Sequence, residues 1–485
     1  MLLLTVRPSN SNSLVHSASL NRRKKHQKGI SVFVFGFCLA SIVPVVGLAV
    51  DLSMMYLAQT RLSSAADSAV LAAARGLSRG SDDGSQTATA VSTASAYMLK
   101  NFPSGVFQTS GLTYTTTVDT STPNVRIVNT TASANIPMMF MRYVGPTSMD
   151  IRASAQATRR DTNVIMILDR SGSMSASSSC TPMKAAAQSF TGMFAPGRDN
   201  VGLVTFSTDV QLNNVASTSF TSVNTNIANI TCQGSTNTTQ ALWTGYKELI
   251  RLNQPNALNV LLLFTDGQPT VTPISSFIKA TSPCPVAWRG TWRNVVIGGY
   301  TNPNSAPLGF YDPAATGLDQ FPTGSGSCSV VTNGIGTVTT DVSTVATADI
   351  YGNSVNVPSG VTGYGTVPAT PAINWTNMIN VATNTSYEAA RHIRKGDPVS
   401  PAVTTIQGGT ATSIGGAFIY VIGLGTAAYP ADVAFLKDIA NDLNSQNITR
   451  NGSPQRSGLF VDAPTIADLN PAFQRVASEI LRLSR

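Results

Sequence analysis

Charged residues are scarce in this chain of 485 residues: only 12% are Asp, Glu, Lys or Arg, whereas 42% are hydrophobic. This composition is unlike that of a typical cytosolic enzyme and favours an exported protein that contains β-structure. A single compact core rarely grows to this length. We therefore expect the chain to fold into two or more units.

Motifs of common enzymes are also missing from the sequence. It contains no P-loop, no H-E-x-x-H pattern and no paired glutamates, and "DRSGSM" is not a G-x-S-x-G nucleophile elbow. Of the three histidines, His16 and His26 precede the apolar segment described below, and His392 lies in a predicted helix. We therefore expect that the protein is not an enzyme, and keep a metal-assisted hydrolase only as an alternative.

No C-x-x-C pair occurs among the five cysteines, which argues against a zinc ribbon. The formal net charge is +8, but no basic stripe interleaved with aromatic residues is present, as nucleic-acid binding would require. Part of the positive charge comes from one cluster, at residues 22–28. No nucleic-acid partner is expected.

An uncharged apolar segment follows this cluster, from Gly29 to Val50. As a helix rising about 1.5 Å per residue, it is long enough to cross a bilayer core of about 30 Å. The positive-inside rule places the leader, residues 1–28, in the cytoplasm and the rest of the chain on the exported side. We expect one uncleaved transmembrane helix at 29–51; a cleaved secretory signal is the alternative.

Residues 52–160 divide into a helical part and a strand part. The alanine-rich stretch 52–76 should continue the membrane helix, and a second helix is expected over 86–101. From 111 to 157, apolar or β-branched residues alternate with polar ones, which predicts the strands of a small sheet. Helices followed by a small sheet indicate a pseudopilin-like stalk module or a plain spacer.

This N-terminal part resembles the TadE/TadG-like family of Flp (tight-adherence) pilus assembly proteins. The resemblance rests on the basic cluster, the apolar segment, "VGLAVDLSMMYLAQTRLSSAADSAVLAAARGL" and the strand-rich segment that ends in "ASAQAT". It implies an anchor in the bacterial inner membrane, with most of the chain in the periplasm. It also implies partners among pilus or secretion-machinery proteins, and it leaves contact with the outer envelope open.

Beyond residue 160, short apolar runs alternate with helical patterns. Runs typical of buried parallel strands lie at 163–168, 201–206, 257–264 and 417–425. Helices are predicted at 180–194, 239–252, 431–443 and 469–485. The sequence therefore predicts an α/β domain over 161–485 with a doubly wound, mostly parallel sheet.

Polar residues with oxygen side chains follow the strands of this domain. Asp169, Ser171 and Ser173 come directly after the first strand, Thr236 lies in "GSTN" before a helix, and Asp266 lies in "TDG" after the third strand. Because the carboxyl ends of parallel strands meet at one edge of a sheet, these side chains should lie close together. Such oxygen ligands, with no His or Cys among them, suit Mg²⁺ or another divalent cation.

This set resembles the metal-ion-dependent adhesion site of von Willebrand factor A (VWA) domains, whose motif is Asp-x-Ser-x-Ser, then a distant Thr and a distant Asp. Thr236 is the best match to the threonine, although Ser235, Thr238 and Thr239 lie close by. The resemblance implies a VWA fold and a cation that accepts a carboxylate from a partner. Two alternatives stay open: a scaffold whose metal only stabilises loops, and solvated turn and cap residues that bind no metal.

A long insertion, at about 271–412, interrupts the α/β pattern. Its Gly, Ser, Thr and Asn content predicts irregular loops with a few short strands, and "SYEAARHIRKG" predicts a helix at 386–396. The insertion leaves from the carboxyl edge of the sheet. We therefore expect it to emerge beside the metal site and to shape or cover its ligand face.

Four of the cysteines follow the apolar segment and could form two disulfides in an oxidising compartment. Cys180 follows the loop that carries Asp169, Ser171 and Ser173, and Cys232 precedes the loop that carries Thr236. Both cysteines should therefore lie near the same edge of the sheet. We predict a Cys180–Cys232 disulfide that ties these loops together. Cys284 and Cys328 would then pair within the insertion.

Overall fold

A computed structural model describes the chain in segments: 30–77, 82–143, 145–282, 284, 286–298, 307, 309–314, 330–331, 334–335, 342–369, 373–425, 430–448 and 455–484. The predicted cytoplasmic leader at 1–28 lies outside these residues.

One long helix, α1 (Ile30–Gly76), runs through the N-terminal part of the chain. Apart from Gly47, residues 32–50 in its first half are exposed, and this half is long and apolar enough to cross a membrane. The second half buries small side chains such as Ala65 and Ala69. The predicted continuation of the apolar helix over 52–76 is therefore confirmed.

A second helix and a small sheet pack along the second half of α1. These elements are α2 (Asp83–Asn101), β1 (Ser110–Asp119), β2 (Val125–Pro137) and β3 (Ser148–Arg160). The strands form an antiparallel sheet in the order β1-β2-β3, as the alternating pattern predicts. Strand β3 is fixed to α1 by Gln59, whose amide accepts from the backbone N of Arg152 and donates to its O.

The α/β domain starts immediately after β3. Its first elements are β4 (Thr162–Asp169), α3 (Gly172–Ala176), α4 (Cys180–Thr191), β5 (Asn200–Phe206), β6 (Val210–Ser217), α5 (Thr221–Ala228), α6 (Thr238–Leu252) and β7 (Leu258–Thr265). Strands β4, β5 and β7 are buried along their whole length. Continuous apolar runs form these strands because both faces of the sheet are covered.

The described residues of the insertion form short strands and one α-helix. It contains β8 (Thr272–Ile278), β9 (Trp292–Gly298), β10 (Gly309–Tyr311), β11 (Val330–Val331), β12 (Gly334–Ile335), β13 (Val342–Asp349) and α7 (Trp375–Lys395). Four of the strands form an antiparallel sheet in the order β10-β9-β8-β13, around a small core of its own that includes Ile274, Ile297 and Phe310. The prediction of a few short strands is confirmed. The pairing of four of them into one sheet was not predicted, because abundant Gly, Ser and Thr obscured the apolar positions of these strands.

Helix α7 begins at Trp375, earlier than the predicted start at 386. The Asn- and Thr-rich residues before 386 have low intrinsic helix propensity. Asn374 compensates as the N-cap, since its side chain accepts a 2.9 Å hydrogen bond from N of Asn377. Gly396 ends the helix in the left-handed conformation at φ 80°, as its position predicts.

The remaining elements include a separate pair of short strands and the last two strands of a six-stranded sheet. They are β14 (Val403–Thr404), β15 (Thr410–Ala411), β16 (Phe418–Leu424), α8 (Val433–Ala440), β17 (Phe460–Ala463) and α9 (Leu469–Leu483). The strand order is β17-β16-β7-β4-β5-β6, and every neighbouring pair is parallel except β5 and β6. Helices α4, α5 and α9 cover one face, and α6, α7 and α8 the other. The predicted doubly wound, mostly parallel sheet is confirmed.

The unit formed by α1, α2 and β1–β3, called the stalk module below, joins the α/β domain at the amino ends of the parallel strands. Only Asp161 separates β3 from β4, and its backbone O accepts a hydrogen bond from N of Leu258 at the start of β7. The eight residues of β4 then span about 26 Å. The carboxyl edge of the sheet therefore lies on the side of the domain away from the stalk.

Candidate metal-ion site

The first part of the candidate site is the end of β4. The strand is apolar until Asp169, whose carboxylate is fully buried. Its Oδ1 accepts a 2.8 Å hydrogen bond from N of Ser171, and its Oδ2 accepts one of 2.6 Å from Oγ1 of Thr265 at the end of β7. Two neighbouring strand ends thus hold this carboxylate in place.

The two serines connect Asp169 to the second carboxylate. Oγ of Ser171 lies 2.9 Å from Oγ of Ser173. Ser173 in turn donates a 2.7 Å hydrogen bond from Oγ to Oδ1 of Asp266. Residues from the loops after β4 and β7 therefore meet at one point, as the parallel topology predicts.

The loop that carries the threonine is tied to the first loop by its backbone. Gly172 N donates to Gly234 O at 2.8 Å, and Gln233 N donates to Arg170 O at 2.7 Å. A side chain at Gly172 would crowd this contact, because an added Cβ would lie 3.2 Å from Gly234 O.

The predicted disulfide between Cys180 and Cys232 is present and joins the same two loops. It links the first residue of α4 to a residue two positions before Gly234. The second predicted pair includes Cys328, which lies outside the described residues, and stays a prediction.

Thr236 is held at the site by the start of the insertion. Its N donates a 2.9 Å hydrogen bond to Oγ1 of Thr270, and its O accepts one of 2.9 Å from N of Thr270. Among the alternatives to Thr236, Ser235 also faces the site, whereas the hydroxyl of Thr239 lies 2.8 Å from Oγ of Ser386 in α7.

A cavity of about 740 Å³ opens above these residues. Ser171, Ser173, Thr236 and Asp266 line it, and Asp169 lies beneath them in contact with Ser171. The structure therefore brings all five predicted residues together at the carboxyl edge of the sheet. Their role as metal ligands stays a prediction.

The electrostatics of the two carboxylates favour a bound cation. Burial raises the pKa of Asp169. Burial, and then the charge of Asp169, raise the pKa of Asp266 to about 7. The neighbouring guanidinium of Arg170 forms a buried ion pair with Asp209, so its charge is already balanced. A divalent cation would supply the missing positive charge.

The donor set also fits such a cation. Oδ2 of Asp266 is buried and accepts no hydrogen bond from any described residue. Groups of three or more His, Cys, Asp or Glu side chains able to hold a metal are absent from the described part of the chain. Hydroxyl oxygens must then complete any site here, and a mixture of carboxylates and hydroxyls suits Mg²⁺, which also retains water ligands.

Parts of the cavity wall could not be recognised from the sequence. Trp375 and Ile379, from the first turns of α7, form one side, and Pro430 and Ala431 lie on another. The insertion thus shapes the face of the site, as expected from its point of departure. Thr265, which holds Asp169, was also missed, although its position beside Asp266 in "FTDG" is a usable signal.

Comparisons with family models agree with this architecture. Residues 164–268 match the model described as von Willebrand factor type A domain. The α/β domain is therefore of the VWA type. Residues 29–76 match the model described as putative Flp pilus-assembly TadE/G-like. The chain thus joins a TadE/G-like N-terminal segment to a VWA domain, which confirms its resemblance to a TadG-like protein.

Solved structures resemble this chain only at low identity and low TM-score. The PilB minor pilin from Streptococcus sanguinis is 13% identical, with a TM-score of 0.36 over 77% of this chain and 79% of that chain. The vWF domain of the type V pili tip protein Mfa5 from Porphyromonas gingivalis is 14% identical, with a TM-score of 0.37 over 68% and 98%. No curated protein sequence matches the chain.

Proposed function

We propose that the protein is a membrane-anchored envelope component of Flp (Tad) pilus assembly or secretion, and that it binds a partner through a divalent cation held by its VWA domain. The partner is a pilus or secretion-machinery protein that offers a carboxylate. In this proposal α1 crosses the bacterial inner membrane, the leader stays in the cytoplasm and the VWA domain lies in the periplasm. The role is adhesive and not enzymatic.

One observation carries the proposal: the five oxygen-bearing residues converge at the edge of the sheet that faces away from the stalk. From Asp51 to Gly76, α1 rises about 38 Å. The VWA domain follows this stalk and presents the site at its far edge. A site placed there is accessible to a partner in the periplasm.

The side chains of the site have separate tasks. Asp169 and Asp266 supply the negative charge that retains a cation, and Thr265 orients Asp169. Ser171, Ser173 and Thr236 offer neutral oxygens, which leave a bound Mg²⁺ electron-poor enough to accept a carboxylate from the partner. Trp375 and Ile379 form an apolar wall beside the site that favours an apolar group next to that carboxylate.

The proposal is tested by capture of pilus proteins on the full chain in lipid nanodiscs. We expect capture with Mg²⁺, and loss of capture with a chelator or in Ser173→Ala. Ser175→Ala is the matched control, because Ser175 is exposed in the same short helix outside the site, and it should bind normally. Equal capture with and without chelator would refute the adhesive role.

The same preparation separates adhesion from a purely structural metal. If Mg²⁺ raises the unfolding temperature but leaves capture unchanged, the metal only stabilises the loops.

The orientation of the chain in the membrane is tested in spheroplasts, where added protease should digest the VWA domain and leave the leader intact.

A further inference from the structure

The turn between β2 and β3 is attached to α1 at the end of its apolar segment. Asp51 is the first charged residue after that segment, and its carboxylate accepts three backbone hydrogen bonds from the turn. Oδ1 accepts from N of Met139 at 2.9 Å, and Oδ2 accepts from N of Phe140 at 2.9 Å and from N of Met141 at 2.7 Å. Such charge-assisted bonds fix the turn against the helix.

Phe140 reaches one helical turn further towards the apolar segment. It packs against Gly47, where an added Cβ would lie only 2.6 Å from Cβ of Phe140. Gly47 precedes Asp51 by four residues, which is about 6 Å along the helix. If α1 spans a bilayer with residues 29–50, Phe140 lies at the boundary between the acyl chains and the head groups.

The side chains of the turn divide into two groups. Met138 and Met141 pack into the core of the stalk module. Met139, Phe140 and Tyr143 are 41%, 43% and 78% exposed. Arg142 lies beside them, with its guanidinium 5.4 Å from the centre of the Tyr143 ring. Large apolar side chains that are exposed together in a short turn indicate a surface that a membrane or a protein partner covers.

We propose that the turn Met139–Tyr143 is a second membrane contact of this protein, which inserts into the interface of the same bilayer that α1 crosses. Met139 and Phe140 enter the apolar boundary, while Tyr143 and Arg142 lie among the phosphate head groups. Tyrosine is enriched in membrane proteins at the interface between the bilayer and water, and arginine pairs with lipid phosphates.

The contact would fix the direction of the stalk. A single helix can tilt in a bilayer, whereas a helix and a turn that both enter the surface define an orientation. The β2–β3 sheet then connects the membrane surface to the start of the VWA domain, because β3 continues into β4 through Asp161. This inference rests on the membrane span in the proposed function.

Quenching of tryptophan by brominated lipid tests the inference. The full chain is reconstituted in vesicles of phosphatidylcholine and phosphatidylglycerol that carry bromine near the head-group end of the acyl chains. We expect the added fluorescence of Phe140→Trp to be quenched at least twofold. The four native tryptophans lie at 243 and beyond, in the VWA domain and its insertion, and provide the background.

Two further variants make the result decisive. Tyr97→Trp is the matched control, because Tyr97 is 47% exposed but lies away from the membrane surface. It is near the end of α2, where O of Asn101 accepts a hydrogen bond from Nε of Arg61. Arg61 lies about 15 Å beyond Asp51 along α1. The fluorescence of Tyr97→Trp should therefore not be quenched. Phe37→Trp, near the middle of the apolar segment, should be quenched strongly by lipid brominated near the methyl ends of the acyl chains if α1 spans the bilayer.

The outcomes separate the two ideas. If Phe37→Trp is quenched but Phe140→Trp behaves like Tyr97→Trp, the membrane span holds and the inference is wrong. In that case, quenching of Phe140→Trp by aqueous iodide would show that the turn is free for a protein partner instead. If Phe37→Trp is not quenched, the membrane span fails and the inference fails with it.

Discussion

Ser173 donates a 2.7 Å hydrogen bond from Oγ to Oδ1 of Asp266, although 93 positions separate the two residues. The bond connects the loop after β4 to the loop after β7, the two loops that carry the carboxylates of the candidate site. A hydroxyl at this distance from the carboxylate is well placed to share a cation with it.

The first prediction concerns this hydroxyl. Ser173→Ala removes one neutral ligand and should weaken Mg²⁺ binding at least tenfold, or about 1.4 kcal/mol. Isothermal titration calorimetry on the full chain in nanodiscs measures the affinity directly. Ser175→Ala removes a hydroxyl from the same helix outside the cavity and should leave the affinity unchanged. Equal affinities for the two variants would exclude Ser173 as a ligand.

The second prediction concerns the two buried carboxylates. Mg²⁺ at 100 times its dissociation constant should stabilise the native chain by about 2.7 kcal/mol, and a chelator should reverse this. Asp266→Asn should abolish the Mg²⁺-dependent stabilisation. It should also raise the unfolding temperature measured in chelator, because it removes one of two neighbouring buried negative charges.

Thermal unfolding with and without Mg²⁺ measures both effects. Asp462→Asn is a suitable control, since Asp462 is exposed on the edge strand β17, and its unfolding temperature should still respond to Mg²⁺. A Mg²⁺ response of Asp266→Asn as large as that of the native chain would place the cation elsewhere.

Much of the α/β domain could be predicted because both of its sheet faces are buried. Continuous apolar runs such as 163–168 and 257–264 are typical of strands that are buried on both faces of a sheet. When such strands are parallel, the loops that follow them lie at one edge of the sheet. Strand β17 is only four residues long and left no clear pattern. Strand β6 was missed as well; it is an edge strand whose burial alternates between buried, intermediate and exposed residues.

The site was predictable where the motif is local and unpredictable where tertiary structure supplies the contacts. Asp169, Ser171 and Ser173 are close in sequence and follow a strand. Trp375 belongs to a helix whose first turns are rich in Asn and Thr, so neither its helical state nor its place at the cavity follows from propensity. The three bonds from the turn to Asp51 also depend on how two distant segments pack.

The third prediction concerns the Cys180–Cys232 disulfide. It closes a loop with a sequence separation of 52, and its loss should destabilise the chain by about 2–4 kcal/mol. Cys180→Ser should also weaken Mg²⁺ binding, because the disulfide joins the two loops that carry Ser171 and Thr236. Cys38→Ser is the control, since Cys38 is a free and exposed cysteine on α1. Denaturant unfolding and calorimetry should show no change for that variant.

The last prediction concerns the joint between the stalk and the VWA domain. Arg198 is buried there and bonds Oδ1 of Asp161 through Nε at 3.2 Å and Nη2 at 2.7 Å, while Nη1 donates to O of Leu77 at 2.9 Å. Arg198→Ala would leave the Asp161 carboxylate buried without this partner. It should cost about 3–5 kcal/mol of unfolding free energy.

Arg482→Ala provides the comparison, because Arg482 pairs with Glu479 in α9 and its side chain is 69% exposed. Exposed pairs of this kind contribute about 0–1 kcal/mol. Denaturant unfolding of both variants in nanodiscs measures the difference, and crosslinking between the stalk and the VWA domain should weaken only in Arg198→Ala. A larger loss of unfolding free energy is expected in Arg198→Ala because water cannot replace the bonds of a buried pair. Similar losses in both variants would show that this pair does not hold the VWA domain on its stalk.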